Sequence, residues 1–349
     1  MPTDWRKTDQ RLIRRGELIL ELSFVENHQN ELNTINHGKE APPYKLTPTY
    51  IQFLTAFRIL HGVPYRQLEG FTKALHRLVP QLPPGDYSGL RKRSLNLNPD
   101  PYQALKETDK PITIAVDSTG VKVRLAGGWV ERKHGKKKRY VKLHFAVDVE
   151  TKEIVAMTVS TDDVHDVKAF PGLVKEANEK RRITCWLGDG AYDSGDVFEA
   201  LEEWGIEAVI KPRRNSVPGL GSSARGRAVW EFQELGYEDW AVEKGYGRRW
   251  AAETAFSTFK RMFGEHSLAR SMDSITRELV AKVSLYNMLV NMWTGRKENG
   301  STGTRNPKII QVNPLSSSYN RFLEHTLSRG FYRRISALPL DFLLRRKRH

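Results

Sequence analysis

The stretch PITIAVDSTG, residues 111–120, decides the reading of this 349-residue chain. Ile112, Thr113, Ile114, Ala115 and Val116 form an apolar, β-branched run that closes on a carboxylate, Asp117. A second run, RRITCWLGDGAYDS at 181–194, closes on Asp189. A third acid, Glu253, lies in YGRRWAAETAFSTFKRMFG, residues 246–264, whose apolar spacing is helical. A lone carboxylate is costly to bury without partners. Three acids at the margins of core elements therefore predict one shared polar site.

The charge says what that site handles. With 56 Lys and Arg against 41 Asp and Glu, the formal net charge is +15, which favours phosphate-rich partners through counterion release. Cys185 is the only cysteine, so an intrachain disulfide and a cysteine-built zinc site are excluded. No apolar run reaches the roughly 18 residues of a membrane span. The start, MPTDWRKTDQRLIRRG, lacks a secretory pattern, so the expected setting is cytoplasmic and nucleoid-associated.

Working outward from Asp117, the runs ITIAVD, VKVRLAG, YVKLHFAVDV and EIVAMTVSTD read as short strands of an antiparallel meander. A helical stretch, DVKAFPGLVKEANEKR, follows and is interrupted at Pro171. Then come strand RITCWLGD, helix GDVFEALEEWG and strand IEAVIKP, which imply a parallel crossover. The expectation is an α/β fold, a mixed sheet flanked by helices, over residues 106–296. A short insertion falls near 212–245, with GRAVWEF as a possible strand.

Residues 1–105 read as an N-terminal arm and a helical region. Gln29 to Tyr44 is polar and linker-like. Thr47 is placed to cap a helix with Pro48 at its first position. Breaks at His61-Gly62-Val63-Pro64 and at Pro80–Gly85 separate it from two more helices. The last, DYSGLRKRSLNL, carries Arg91, Lys92 and Arg93, so the region reads either as a DNA-binding module or as ordinary packed helices. Residues 297–349 form a basic C-terminal extension.

Phosphodiester transfer needs an in-line attack, which two divalent ions can assist. Mg²⁺ takes oxygen ligands, so Asp117, Asp189 and Glu253 are the expected ligands and catalytic groups for Mg²⁺ or Mn²⁺. On one continuous helix Tyr246, Arg249, Glu253 and Lys260 would point within roughly 60° of one another. Arg249 can fork onto a phosphate, Lys260 supplies a point charge, and Tyr246 can bond a phosphate or pack at the helix start. The plainer reading makes Arg249–Glu253 an i,i+4 ion pair. The run RKHGKKKR contributes Arg132, Lys133, Lys136, Lys137, Lys138 and Arg139 beside Trp129, either as a DNA-contacting hairpin tip or as a solvated one. Trp230 and Trp250 read as packing residues, and Asp193 as a turn or helix cap. In the cluster Asp162, Asp163, His165 and Asp166, one of Asp162, Asp163 or Asp166 reads as the cap of the following helix, with His165 and Asp166 as metal ligands or a catalytic pair in the alternative.

VDSTG, then GDGAYDS, then Tyr246-x₂-Arg249-x₃-Glu253-x₆-Lys260 resembles insertion-sequence transposases of the DDE superfamily, in the branch bearing a Tyr-Arg-Glu-Lys signature. The resemblance covers about residues 10–295, including LIRRG and PYRQLEGFTKALHRLVPQLPPGDYSGLRKR. It implies a ribonuclease-H-like sheet and a Mg²⁺- or Mn²⁺-binding catalytic triad of Asp117, Asp189 and Glu253. It also implies contacts from Tyr246, Arg249 and Lys260 to DNA near the cut ends. Such proteins cut at terminal inverted repeats and join the freed 3′-hydroxyls to target DNA, as dimers or larger synaptic complexes. The spacing of 64 from Asp189 to Glu253 is too short for a large inserted domain. A metal-dependent nuclease, or a catalytically silent DNA-binding protein derived from a transposase, are the alternatives.

Overall fold

Among the described residues, one cluster of apolar side chains lies among helices and another on a sheet. The computed structural model describes residues 21–123, 140–219 and 223–293, with a few isolated positions before residue 21. All of these lie in one compact unit, Met1–Val312.

The helical region begins with α1 (His28–Asn36), so part of the expected linker is helical. In α2 (Pro48–His61) the Thr47 side chain accepts from the Tyr50 amide, and Gly62 ends the helix at φ 63°. Only a residue tolerant of the left-handed region closes a helix that tightly, so α3 (Tyr65–Leu78) starts three residues later. Helix α4 (Tyr87–Asn96) is capped by Asp86, which accepts from the amides of Ser88 and Gly89. Tyr50, Leu54, Leu68, Leu82 and Leu90 are fully buried among these helices. Each such side chain is worth about 1.5–3 kcal/mol of burial.

The sheet runs in the order β3-β2-β1-β4-β5, from β1 (Ile112–Val123), β2 (Tyr140–Asp148), β3 (Ile154–Thr161), β4 (Ile183–Gly188) and β5 (Glu207–Ile210). A two-residue strand, β6 (His266–Ser267), extends the outer end of β1. β1, β2 and β3 pair antiparallel as expected, while β1–β4 and β4–β5 are parallel. The architecture is thus a mixed α/β sheet flanked by helices, preceded by a helical region. On one face Ile114, Val116 and Trp186 pack under α5 (Asp166–Lys180) and α6 (Gly195–Glu203). On the other face Phe145 stacks on Phe256 of α8 (Trp250–Phe263), with ring centroids 4.5 Å apart. The long helix α9 (Met272–Trp293) closes that side, where the Asn287 amide bonds both the N–H and the carbonyl of Ile154 on the edge strand. No helix among the described residues is long and apolar enough to cross a membrane.

Four local expectations are corrected. ITIAVD and the start of VKVRLAG are one strand, because Ser118, Thr119 and Gly120 keep pairing with His144, Leu143 and Lys142. Asp117 therefore sits mid-strand rather than at a strand end. GRAVWEF is helical, part of α7 (Ser223–Glu243), which kinks at Gly236. Pro171 lies inside an unbroken α5, near its start, where the missing N–H removes a single bond. Tyr246–Arg249 form a 3₁₀ turn ahead of α8, so the four signature positions do not share one helical face.

Candidate active site

Register brings the first two acids together. β1 and β4 pair in parallel through Ala115 and Leu187, so Asp117 and Asp189, each two residues further on, stand at the same level of neighbouring strands. Asp117 pairs across to Phe145, which fixes its side chain on the α8 face. Its Oδ1 accepts the Ser118 amide at 2.8 Å. Asp189 lies just past the end of β4, where its Oδ1 accepts the Ala191 amide at 3.0 Å and begins a tight turn.

Helix α8 lays the third acid over this pair. Phe256 and Phe259 anchor it on Phe145, and its first turn then carries Glu253 beside the sheet acids. Arg249 connects the set. Its Nη1 lies 3.4 Å from Asp117 Oδ2 and its Nη2 2.5 Å from Glu253 Oε1. The i,i+4 pair is real, and it reaches on to the sheet. Burial raises the Asp117 carboxyl above its ordinary range. The Ser118 N–H and Arg249 oppose that rise, while the nearby charges of Asp189 and Glu253 add to it.

The expected metal centre is overturned. Among the described residues no group of three or more His, Cys, Asp or Glu side chains is arranged to hold a metal ion. The assignment of Mg²⁺ or Mn²⁺ to Asp117, Asp189 and Glu253 does not fit this arrangement. The geometry supplies the reason: the guanidinium of Arg249 already bridges Asp117 and Glu253 as their counter-cation.

The remaining signature residues are placed differently. Tyr246 is buried against Trp240, ring centroids 5.0 Å apart, and burial pushes its hydroxyl up to about 12. Lys260 sits nearly two turns beyond Glu253, where it adds to the larger effect of Lys122 in lowering the Glu265 carboxyl. In α4, Arg91 and Lys92 are exposed, whereas Arg93 packs over the Tyr44 ring at 4.8 Å. Arg132, Lys133, Lys136, Lys137, Lys138, Arg139 and Trp129 lie outside the described residues, as does the extension 297–349. Trp230 and Trp250 are not packed, being 59% and 68% exposed.

Two polar clusters escaped the sequence. On the sheet face opposite Asp117, Asp166 accepts from Ser118 Oγ at 3.0 Å and pairs with Lys142 Nζ at 3.1 Å. Buried His144 lies beside them, its Nε2 2.9 Å from Ser160 Oγ. Asp166 thus ties α5 to β1 and β2 instead of capping its own helix, whose N-cap, His165, makes no side-chain cap. The alternation of β1 could have shown this, since Ser118 must face away from Asp117. The second cluster joins fully buried Asp193 to Arg225 on α7, Nε to Oδ1 2.6 Å, with Ser216 Oγ and the Arg213 amide donating to the same carboxylate. Asp193 is therefore a clasp for the segment after β5, which holds Arg213 against the Gly190 carbonyl beside Asp189. No local signal pairs residues 32 apart across a loop.

Comparison with known proteins follows this geometry. Residues 108–288 match the family described as "Transposase DDE domain", and residues 13–126 match a second family of the same description. Among solved structures, a cryo-EM structure of a piggyBac transposase synaptic complex with hairpin DNA aligns over 93% of this chain and 84% of that one. The identity is 11% and the TM-score 0.35, a superposition too loose to carry an argument.

Proposed function

We propose, from the premise that this chain belongs to the transposase DDE-domain family, that it cuts DNA at the ends of a mobile element and joins the freed ends to target DNA. The observation that carries this reading is the single cluster built by Asp117, Asp189, Glu253 and Arg249 in a strongly basic chain. The antiparallel meander continued by two parallel strands supports a ribonuclease-H-like sheet beneath it.

In the cutting step a water oxygen bonds to phosphorus as the bond from phosphorus to the 3′-oxygen breaks. This leaves a 3′-hydroxyl and a 5′-phosphate. In the joining step the oxygen of that 3′-hydroxyl bonds to a phosphorus of target DNA as the bond from that phosphorus to the target's own 3′-oxygen breaks, and the displaced oxygen leaves as a 3′-hydroxyl. The attacking oxygen must lose a proton, and a carboxylate whose pKa is raised, as that of Asp117 is, suits the acceptor role. Arg249 offers two parallel N–H donors to the phosphate once it releases the acids. Lys260 adds positive charge further along α8. Exposed Arg91 and Lys92 suit phosphates away from the cut. Tyr246 serves from its buried position by shaping the turn that presents Arg249. The partners in this reading are duplex DNA bearing terminal inverted repeats, target DNA and further copies of the chain in a synaptic complex.

The test is strand cleavage and joining on labelled duplexes carrying the sequences that flank the gene, with wild type compared with Glu253→Gln. Both products should form with wild type and neither with the variant, although the variant still binds the ends. Cleavage without joining would point to a nuclease. Equal activity of the two proteins would remove Glu253 from the chemistry.

A further inference from the structure

The third helix of the helical region, α3, has two faces of opposite character. Leu68, Thr72 and Leu75 are buried on one side. On the other, Arg66, Gly70, Lys73 and Arg77 are all exposed and fall within about 60° of one another at 100° per residue. From Arg66 to Arg77 the line is about 16 Å long, which exceeds the roughly 12 Å width of a DNA major groove. Its two ends can therefore meet phosphates on both walls. The exposed Gln67 flanks the line and can read a base edge.

Two further features point to a partner at this face. Gly70 sits mid-helix without a positive φ, and among the described residues no atom beyond its chain neighbours and its own helix backbone lies within 4 Å of the place its Cβ would occupy. Folding does not need a glycine there, and glycine weakens a helix relative to alanine. Its absent side chain helps only something approaching from outside. Lys73 is also held in place, Nζ 2.6 Å from Glu69, whose other oxygen accepts the Tyr87 amide at 2.9 Å. That brace neutralises part of the charge but fixes its position, and Arg66 is similarly steadied over the Tyr87 ring at 5.0 Å. The three-residue turn Gly62-Val63-Pro64 joins α2, which is buried almost throughout, to this half-exposed helix. A buried helix, a short turn and an exposed basic helix follow one another here in the order of elements that places a recognition helix in a major groove.

We propose that α3 is the helix that enters the major groove of duplex DNA, with Gly70 at the closest approach, and that α4, despite its three consecutive basic residues, only flanks it. This deepens the transposase reading and rests on it.

The test measures binding of the full chain to a fluorescent duplex from the DNA flanking the gene, across a salt series, with thermal melting of each variant. Gly70→Leu should melt no lower than wild type, yet bind at least about 10-fold more weakly. Lys73→Ala and Arg77→Ala should each flatten the log–log salt slope by about one. Lys175→Ala, an exposed cation on α5, is the control and should leave affinity unchanged. Wild-type affinity in Gly70→Leu would overturn the assignment of α3 while leaving the transposase reading standing. A wild-type chain that binds neither this duplex nor a random one would overturn both.

Discussion

Arg249 stands 3.4 Å from Asp117, a neighbour 132 residues away in sequence. That contact binds the first turn of α8 to the middle of β1 and sets the charge state of the candidate site. Arg249→Ala should therefore remove a positive charge that both Asp117 and Glu253 depend on. We expect cleavage to fall by about 100-fold or more, the scale seen when one preorganised donor is lost at a reacting centre. Arg249→Lys should recover only part of it, since a compact ammonium lacks the planar, preset fork of donors that a guanidinium holds between the two acids. Single-turnover cleavage rates decide this, and an Arg249→Ala rate within threefold of wild type would contradict it.

Phe145 supports the site from below by stacking on Phe256 at 4.5 Å and meeting Phe259 edge-on at 5.3 Å. Phe145→Ala should destabilise the chain by about 3–5 kcal/mol. Phe145→Leu should lose less stability but still let α8 shift, so cleavage should drop further than the melting temperature alone would suggest. Parallel loss of activity and of folded fraction in both variants would mean that Phe145 acts only through stability.

The clasp between Asp193 and Arg225 makes a sharper stability prediction. The Asp193 side chain is fully buried, and its hydrogen bonds and Arg225 hold its carboxyl below the usual range despite that burial. Arg225→Ala leaves that charge without its counter-ion and should cost about 3–5 kcal/mol. Pairing Arg225→Met with Asp193→Asn should restore much of the loss. Denaturant titration of Arg225→Met, Asp193→Asn and their double variant checks this, and additive losses in the double variant would contradict it.

His144 gives the chain an acid-sensitive term. Burial pushes its pKa down to about 4, with Asp166 pulling it up and Lys142 helping to lower it. The unfolded chain takes up a proton near the ordinary value of 6.5. The folded chain does not do so until much lower pH. Its contribution to stability is therefore complete above pH 6.5 and lost as pH falls towards 4, by about 3 kcal/mol in total. Glu176, raised by burial to about 7, works in the opposite sense, its contribution fading as pH rises from 4.5 to 7. His144→Gln isolates the histidine, because Glu176 is common to both proteins. Melting curves should converge as pH drops from 6.5 to 4, and a constant gap between them would count against the buried neutral histidine.

Much of the sheet was legible because periodicity and burial coincide there. The meander, the parallel crossover through α6 and the cap at Thr47 all follow from local residue choice. The failures have physical causes. Asp117 reads as a strand end because Ser118-Thr119-Gly120 interrupts the apolar run, but Val121 and Val123 continue the alternation and β2 supplies partners through Lys122. GRAVWEF has strand-like composition, yet Ala224 and Ala228 pack against the sheet's helical cluster, and that tertiary contact outweighs propensity. The adjacency of Asp117 and Asp189 needed only the assumption that their strands are neighbours. The position of Arg249 between two acids could not be read at all, because it depends on a 3₁₀ turn and a helix docking angle. It puts a guanidinium beside Asp117 and Glu253, where the expected metal site finds no cluster of ligands among the described residues.

The central claim is that Asp117, Asp189 and Glu253 act as one site on DNA. The most direct measurement is single-turnover cleavage by Asp117→Asn, Asp189→Asn, Glu253→Gln and the Asp117→Asn/Glu253→Gln double variant, each first shown to bind the flanking duplex. Groups that act as a unit are grossly non-additive. Each single variant should abolish cleavage, and the double should be no worse than either of its parents. If any one of the three retains wild-type cleavage, or if the double loses the product of the two single effects, the three carboxylates do not form one catalytic site.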